Sequence, residues 1–99
     1  MAFNERDGLS PDMAKLLDKH PELTQSTSQK VTSHVQREED DWIIHTLLIE
    51  GTDVPFYFKR KKRYKSLHGA RVNITYYPDP TEIAGMEFER FKIVRIKRL

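Results

Sequence analysis

The spacing of apolar and polar positions divides the chain into a short helical start and a long β-patterned remainder. Residues 1–9 carry no period and read as a loose leader. Helix signals then gather over 10–20. Ser10 is a good N-cap, because its hydroxyl can accept from a free N–H of the first turn. Pro11 suits the first helical position, and Asp12 suits the positive helix end. Met13, Leu16 and Leu17 fall on one face, Lys19 and His20 favour the C-terminal end, and Pro21 stops the run. A helix this short is marginal alone in water, so it is expected to dock on something. Thr24–Gln29 is polar and aperiodic and reads as a linker inside one domain.

Five strands are expected after it, at about 30–37, 42–50, 54–64, 70–77 and 86–97. The first places Val31, Ser33 and Val35 on one side. Glu38–Asp41 is an acidic turn. Trp42–Glu50 is apolar on both sides over much of its length, the mark of a central or barrel-closing strand. Gly51–Asp53 turns the chain into Val54–Tyr64, and Leu67–Gly69 turns it again. Ala70–Tyr77 alternates cleanly, with Ala70, Val72, Ile74 and Tyr76 one way and Arg71, Asn73, Thr75 and Tyr77 the other. Pro78-Asp79-Pro80 breaks that strand. Along Met86–Lys97 the apolar phase changes parity, which predicts a bulge near Glu89–Arg90 and a bend near Ile93–Val94.

These elements predict an α+β, mostly β domain over 10–99. In it an N-terminal helix precedes a five-stranded, mostly antiparallel curled sheet or small barrel of OB-like or SH3-like type. The OB pattern usually carries a helix between its third and fourth strands, whereas here the helix signal is N-terminal, so an open sheet with a packed helix stays open as an alternative. The length of 99 residues fits one domain and not two.

Composition narrows the function classes. Charged residues reach 32% against 37% apolar, which implies a thin core and a large solvated surface. There is no cysteine, which removes disulfides, thiolate catalysis and cysteine zinc sites. No apolar run reaches membrane-spanning length and the start lacks the pattern of a secretory signal, so a cytoplasmic, membrane-free address is expected. The net charge of +2 hides a split: residues 1–53 hold eleven acids and five bases, residues 54–99 four acids and twelve bases. Such a split gives a steering dipole if the halves occupy different faces, and cancels if they pair with each other.

The basic charge is concentrated in Val54–Asp79, which has seven Lys or Arg residues and no acid before Asp79. If Val54–Tyr64 and Ala70–Tyr77 form a hairpin, Tyr57, Lys59, Lys61 and Arg63 share an outer face with Arg71, Asn73, Thr75 and Tyr77. Phe56 and Phe58 then point inward with Val72, Ile74 and Tyr76. Cations hold phosphate backbones and flat rings stack on unpaired bases, so this face suits single-stranded nucleic acid. The expected binding residues are Tyr57, Lys59, Lys61, Arg63, Arg71 and Tyr77. Arg60, Lys62 and Tyr64 fall on the inward phase and fit no core. Lys-rich strands also guard sheet edges against association, so a solvated or edge-protecting reading stays open.

Other chemistry is sparse. His20, His34, His45 and His68 show no helical metal spacing, although His34 and His45 can meet across the first hairpin. The carboxylates at 38–41 lack the glycine and ligand spacing of a calcium loop. Ser66 and His68 lack an oxyanion motif, Gly69 reads as a turn glycine, and Trp42 reads as a core anchor with ligand stacking as the other option. No catalytic residue, metal or cofactor is expected.

The block EGTDVPFYFKRKKRYKSLHGARVNITYYPD, with AGMEFERFKIVRIKRL after it and DGLSPDMAKLLDKHPEL before it, resembles a group of small bacterial proteins of about this length with no assigned activity. The resemblance covers nearly the whole chain and implies a bacterial, cytoplasmic, single-domain protein. It carries over no catalytic residue. The expectation is a small nucleic-acid-binding module. The alternative is a protein-interaction or homodimerisation module that uses the acidic and basic halves.

Overall fold

The computed structural model describes residues 23–99. The helix expected over 10–20 lies outside them. Seven strands follow: β1 (Thr24–Glu39), β2 (Trp42–Ile49), β3 (Phe56–Arg60), β4 (Arg71–Pro78), β5 (Thr81–Ile83), β6 (Met86–Phe88) and β7 (Phe91–Arg98). Five of them close a barrel in the order β1-β2-β3-β7-β4, while β5 and β6 form a separate two-stranded hairpin. All barrel pairings are antiparallel except β3 with β7.

The barrel closes because β1 is long enough to serve two partners. Thr24–Lys30 pairs with β4, and Val31–Glu39 pairs with β2. Register shifts between Ser26 and Gln29 and between Val31 and Ser33 bend the strand from one partner to the other, as bulges do. Thr24–Gln29 is therefore strand rather than linker. Its polar side chains carry no period, but its backbone groups find partners in β4, and closure leaves the barrel no open edge. The second shift also reverses the phase of β1. Val31 is buried, yet Val35 is 57% exposed, and His34 and Gln36 take the inward positions.

The expected pairing of Val54–Tyr64 with Ala70–Tyr77 is corrected by the sheet order: β7 lies between β3 and β4. The turn expected at Leu67–Gly69 is present, with the Ala70 N–H donating to the Leu67 carbonyl at 2.9 Å and Gly69 at φ 82°, but segment 61–69 as a whole does not join two paired strands. It crosses the end of the barrel and buries Leu67 in the core. Inserting β7 buries Ile93 between the two strands, which a β3–β4 hairpin would not do. The strand ends at Arg60, whose guanidinium lies 5.0 Å over the Phe58 ring, and beyond it Lys62 stays exposed while Tyr64 packs against the core beside His45 and Phe58. The single bent strand expected over 86–97 is two strands, β6 and β7, divided at Glu89–Arg90. The bend near Ile93–Val94 is present as the shift that matches Thr75 with Arg95 and Tyr76 with Ile93.

The core comprises Val31, Leu47, Ile49, Phe56, Phe58, Leu67, Val72, Ile74 and Ile93, with Tyr64, Tyr76, Phe91 and Ile96 packed against it. Phe56, Tyr76 and Phe91 form an aromatic triangle with centroids 4.9 to 5.0 Å apart. At the other end of β3, His45 stacks on Phe58 at 4.5 Å. The Asp40–Asp41 turn has Asp40 at φ 56°, a left-handed value that Asp tolerates in short hairpins.

Candidate functional site

Directly paired residues on neighbouring strands share a face, so the register assembles the outer surface row by row. One row runs Val35, Thr46, Tyr57, Lys92, Tyr77 across all five barrel strands. The next runs Arg37, Ile44, Lys59, in which Ile44 is buried between its charged neighbours. Glu39 and Trp42 pair at the end of the first hairpin, and the Lys61 ammonium sits 4.1 Å from the Trp42 ring centre. Trp42 is the chain's only tryptophan and is 40% exposed. It is thus not a core anchor: the inward phase of β2 runs through Ile43, His45, Leu47 and Ile49, which turns Trp42 outward. Leu48 and Val35 are exposed on the same surface.

Of the six residues expected to bind, Tyr57, Lys59 and Tyr77 lie in these rows and Lys61 meets them at Trp42. Neither tyrosine offers an open ring. The Tyr57 hydroxyl donates to Asp79 Oδ2, and the Arg90 guanidinium lies 4.2 Å over its ring. Burial, followed by the bond to Asp79, holds the Tyr57 phenol well above its usual range, against the opposing charge of Arg90. Arg90 also donates through Nε to the Asp79 carbonyl at 2.7 Å, and its Nη2 lies 3.5 Å from the carboxylate. These contacts tie the base of the β5–β6 hairpin to β3. Tyr77 lies across Lys92 from Tyr57 and is buried, with its phenol pushed up by burial and then by Asp79. Arg71 lies on the β1–β4 seam, where it donates to the Ser28 carbonyl at 2.9 Å and supports the first bulge. Arg63 lies in the crossing segment, 3.8 Å from Glu38. The hairpin itself exposes Ile83, Met86 and Phe88.

The inward polar residues of β1 and β2 hold segment 61–69 in place. The Leu67 N–H donates to His34 Nδ1 at 2.9 Å. A backbone N–H can only donate, so His34 carries its proton on Nε2, which faces His45 Nδ1 at 2.9 Å. His45 then carries its proton on Nε2, which points at the Lys62 carbonyl 3.4 Å away. The chain is consistent only when both rings are neutral. Burial lowers the proton affinity of His34. Burial also lowers that of His45, with smaller contributions from His34, Arg60 and Arg63, while the Lys62 carbonyl acts in the opposite sense. Gln36 adds a reciprocal pair, accepting from the Tyr64 N–H at 2.9 Å and donating to the Tyr64 carbonyl at 2.8 Å. Among the described residues no buried side-chain nitrogen or oxygen lacks a partner, and no group of three His, Cys, Asp or Glu side chains could hold a metal.

No helix among the described residues is long and apolar enough to cross a membrane. Comparison with protein-family models, curated proteins and solved structures returns no match to this chain.

Proposed function

We propose that this barrel is an OB-type module that binds single-stranded nucleic acid across the outer face of β2 and β3. The strand order supports the fold reading. It is a five-stranded Greek-key barrel with one parallel pairing, and segment 61–69 with its Leu67 plug stands where the OB helix would lie. In such barrels the second and third strands form the binding face, flanked by the loops beyond them. The observation that carries the function is Trp42, 40% exposed on the face that holds Lys59, Arg37 and Lys92. The ammonium over its ring belongs to the exposed Lys61, which a base can displace, unlike the guanidinium over Tyr57, which Asp79 holds. A flat ring stacks on a base for about 1–3 kcal/mol, and cations on the same surface hold the phosphates. The acidic residues Glu38–Asp41 border Trp42 on one side, so the strand runs on the β3 side, over Lys59 and Lys61. Binding needs no reacting group, and the reading assigns none.

Fluorescence anisotropy with a labelled single-stranded oligonucleotide tests this. Trp42→Ala is expected to weaken binding about tenfold, from loss of one stacked base. Lys59→Glu with Lys61→Glu is expected to weaken it further and to flatten the salt dependence. Unchanged affinity in both variants contradicts the site.

A second reading is favoured by one observation, the exposed Ile83, Met86 and Phe88 on an acidic hairpin that also carries Glu82 and Glu87. This surface could join the basic face of a second copy. A doubled mass in sedimentation at low salt that halves as salt rises would support it, and a monomer under both conditions would exclude it.

A further inference from the structure

At the end of the barrel crossed by segment 61–69, a shallow cavity of about 450 Å³ is lined by Lys62, Arg63, Tyr64, Lys65, Leu67 and Arg98. We propose that it is a binding site for a phosphate group.

Four cations surround the opening and no carboxylate lines it. Lys62, Lys65 and Arg98 have no acidic partner among the described residues. Arg63 has only the 3.8 Å approach of an exposed Glu38. Like charges around one concavity repel, and an anion in it relieves that repulsion. Lysine supplies a mobile point charge and arginine a planar fork, the two recognition modes phosphates use. Guarding a sheet edge does not account for these cations. The barrel is closed, and Lys62, Arg63 and Lys65 lie outside every strand.

The backbone here is irregular yet fixed. His45 holds the Lys62 carbonyl, Gln36 holds both polar groups of Tyr64, and His34 holds the Leu67 N–H. Three inward side chains from β1 and β2 thus position a segment that contributes one plug residue to the core and three cations to its surface. A prearranged segment loses little freedom on binding, which favours the ligand. The phosphate could belong to a nucleic-acid strand continuing past Lys61 or to a small phosphorylated molecule. The proposal deepens the function above in the first case and stands without it in the second.

The test is NMR of the full chain, following the amides of residues 62–67 and 98 and the Trp42 indole. Three additions are compared: inorganic phosphate, sodium chloride at equal ionic strength, and a single-stranded oligonucleotide. Phosphate is expected to shift the 62–67 and 98 amides to saturation where chloride does not. Lys65→Ser with Arg98→Ser is expected to weaken that response about tenfold, as loss of two charge contacts implies. Both positions are exposed, and unchanged β2 and β3 amides, which pair with neither position, would confirm that the fold is kept. Equal shifts with phosphate and chloride, or an undiminished response in the double variant, overturn the site. If the oligonucleotide moves both the indole and these amides, the phosphate is that of the strand. If phosphate binds but the oligonucleotide leaves the indole unmoved, the site stands and the nucleic-acid reading falls. If the oligonucleotide moves the indole while neither it nor phosphate moves these amides, the nucleic-acid reading stands and the site falls.

Discussion

The two ends of β3 are finished by different chemistry. At Phe56 the barrel is closed by three aromatic rings on three strands, Phe56, Tyr76 and Phe91. At Phe58 the interior continues into His45, His34 and Gln36, and an irregular segment forms the lid. The aromatic end is held by non-directional ring packing and contains no histidine, its one polar tip being the Tyr76 hydroxyl, which meets Ser26 Oγ at 3.0 Å. The polar end is directional, since each hydrogen bond fixes a backbone atom of the lid, and it holds only while both imidazoles are neutral. Stability and placement are therefore divided. The first end supplies burial, and the second sets where Lys62, Arg63 and Lys65 stand.

The contrast can be broken from either side. Phe56→Ala is expected to cost most, about 3–5 kcal/mol in urea denaturation, since it removes a buried ring and leaves a cavity. That loss is expected to be the same near neutral and at mildly acid pH. His45→Ala is expected to cost about 2–3 kcal/mol near neutral pH, because it strands the His34 N–H and the Lys62 carbonyl.

The wild-type protein is expected to lose stability as pH falls. Both histidines bind protons less readily folded than unfolded, so acid favours the unfolded chain. The loss begins as pH drops through the ordinary histidine value of 6.5 and continues down to the lowered folded-state values. His45→Phe, which keeps a ring against Phe58, is expected to shrink that dependence, and an unaltered acid limb would refute the neutral-only chain. Gln36→Ala is expected to cost about 1–2 kcal/mol and to raise amide exchange at Tyr64 without affecting β4. At the small end, Arg37→Ala breaks an exposed 3.2 Å pair with Glu39 and is expected to change stability by no more than about 0.5 kcal/mol.

The same contrast explains what the sequence could reveal. The regular strands and the inward phase of Phe56 and Tyr76 were legible, because Val72, Ile74 and Tyr76 alternate strictly and β2 is flanked by turn residues, but the third ring, Phe91, was not, since β7 reaches them only through the sheet order. The small mostly β barrel followed from them. The first half of β1 was not legible. Thr24–Gln29 has no apolar period, and only pairing with β4 makes it a strand. Nor was the inward turn of His34 and Gln36, which depends on a one-residue slip near Thr32. The His34–His45 meeting was legible, since the Asp40–Asp41 turn brings both residues onto facing strands. The basic run stood out, but its faces did not. β3 and β4 are neighbours in sequence but not in space, because β7 arrives from much later in the chain to separate them. The outward position of Trp42 is not legible either, because β2 is apolar on both sides and its phase is set only by what packs inside.

The most direct test of the nucleic-acid reading uses the chain's only tryptophan as its own reporter. Intrinsic fluorescence would be followed while unlabelled single-stranded oligonucleotide is added at low and at near-physiological salt. The account predicts saturable quenching of Trp42, with an affinity that falls steeply as salt rises, because stacking and phosphate contact occur on one face. Fluorescence that stays constant through the low-salt titration would contradict it.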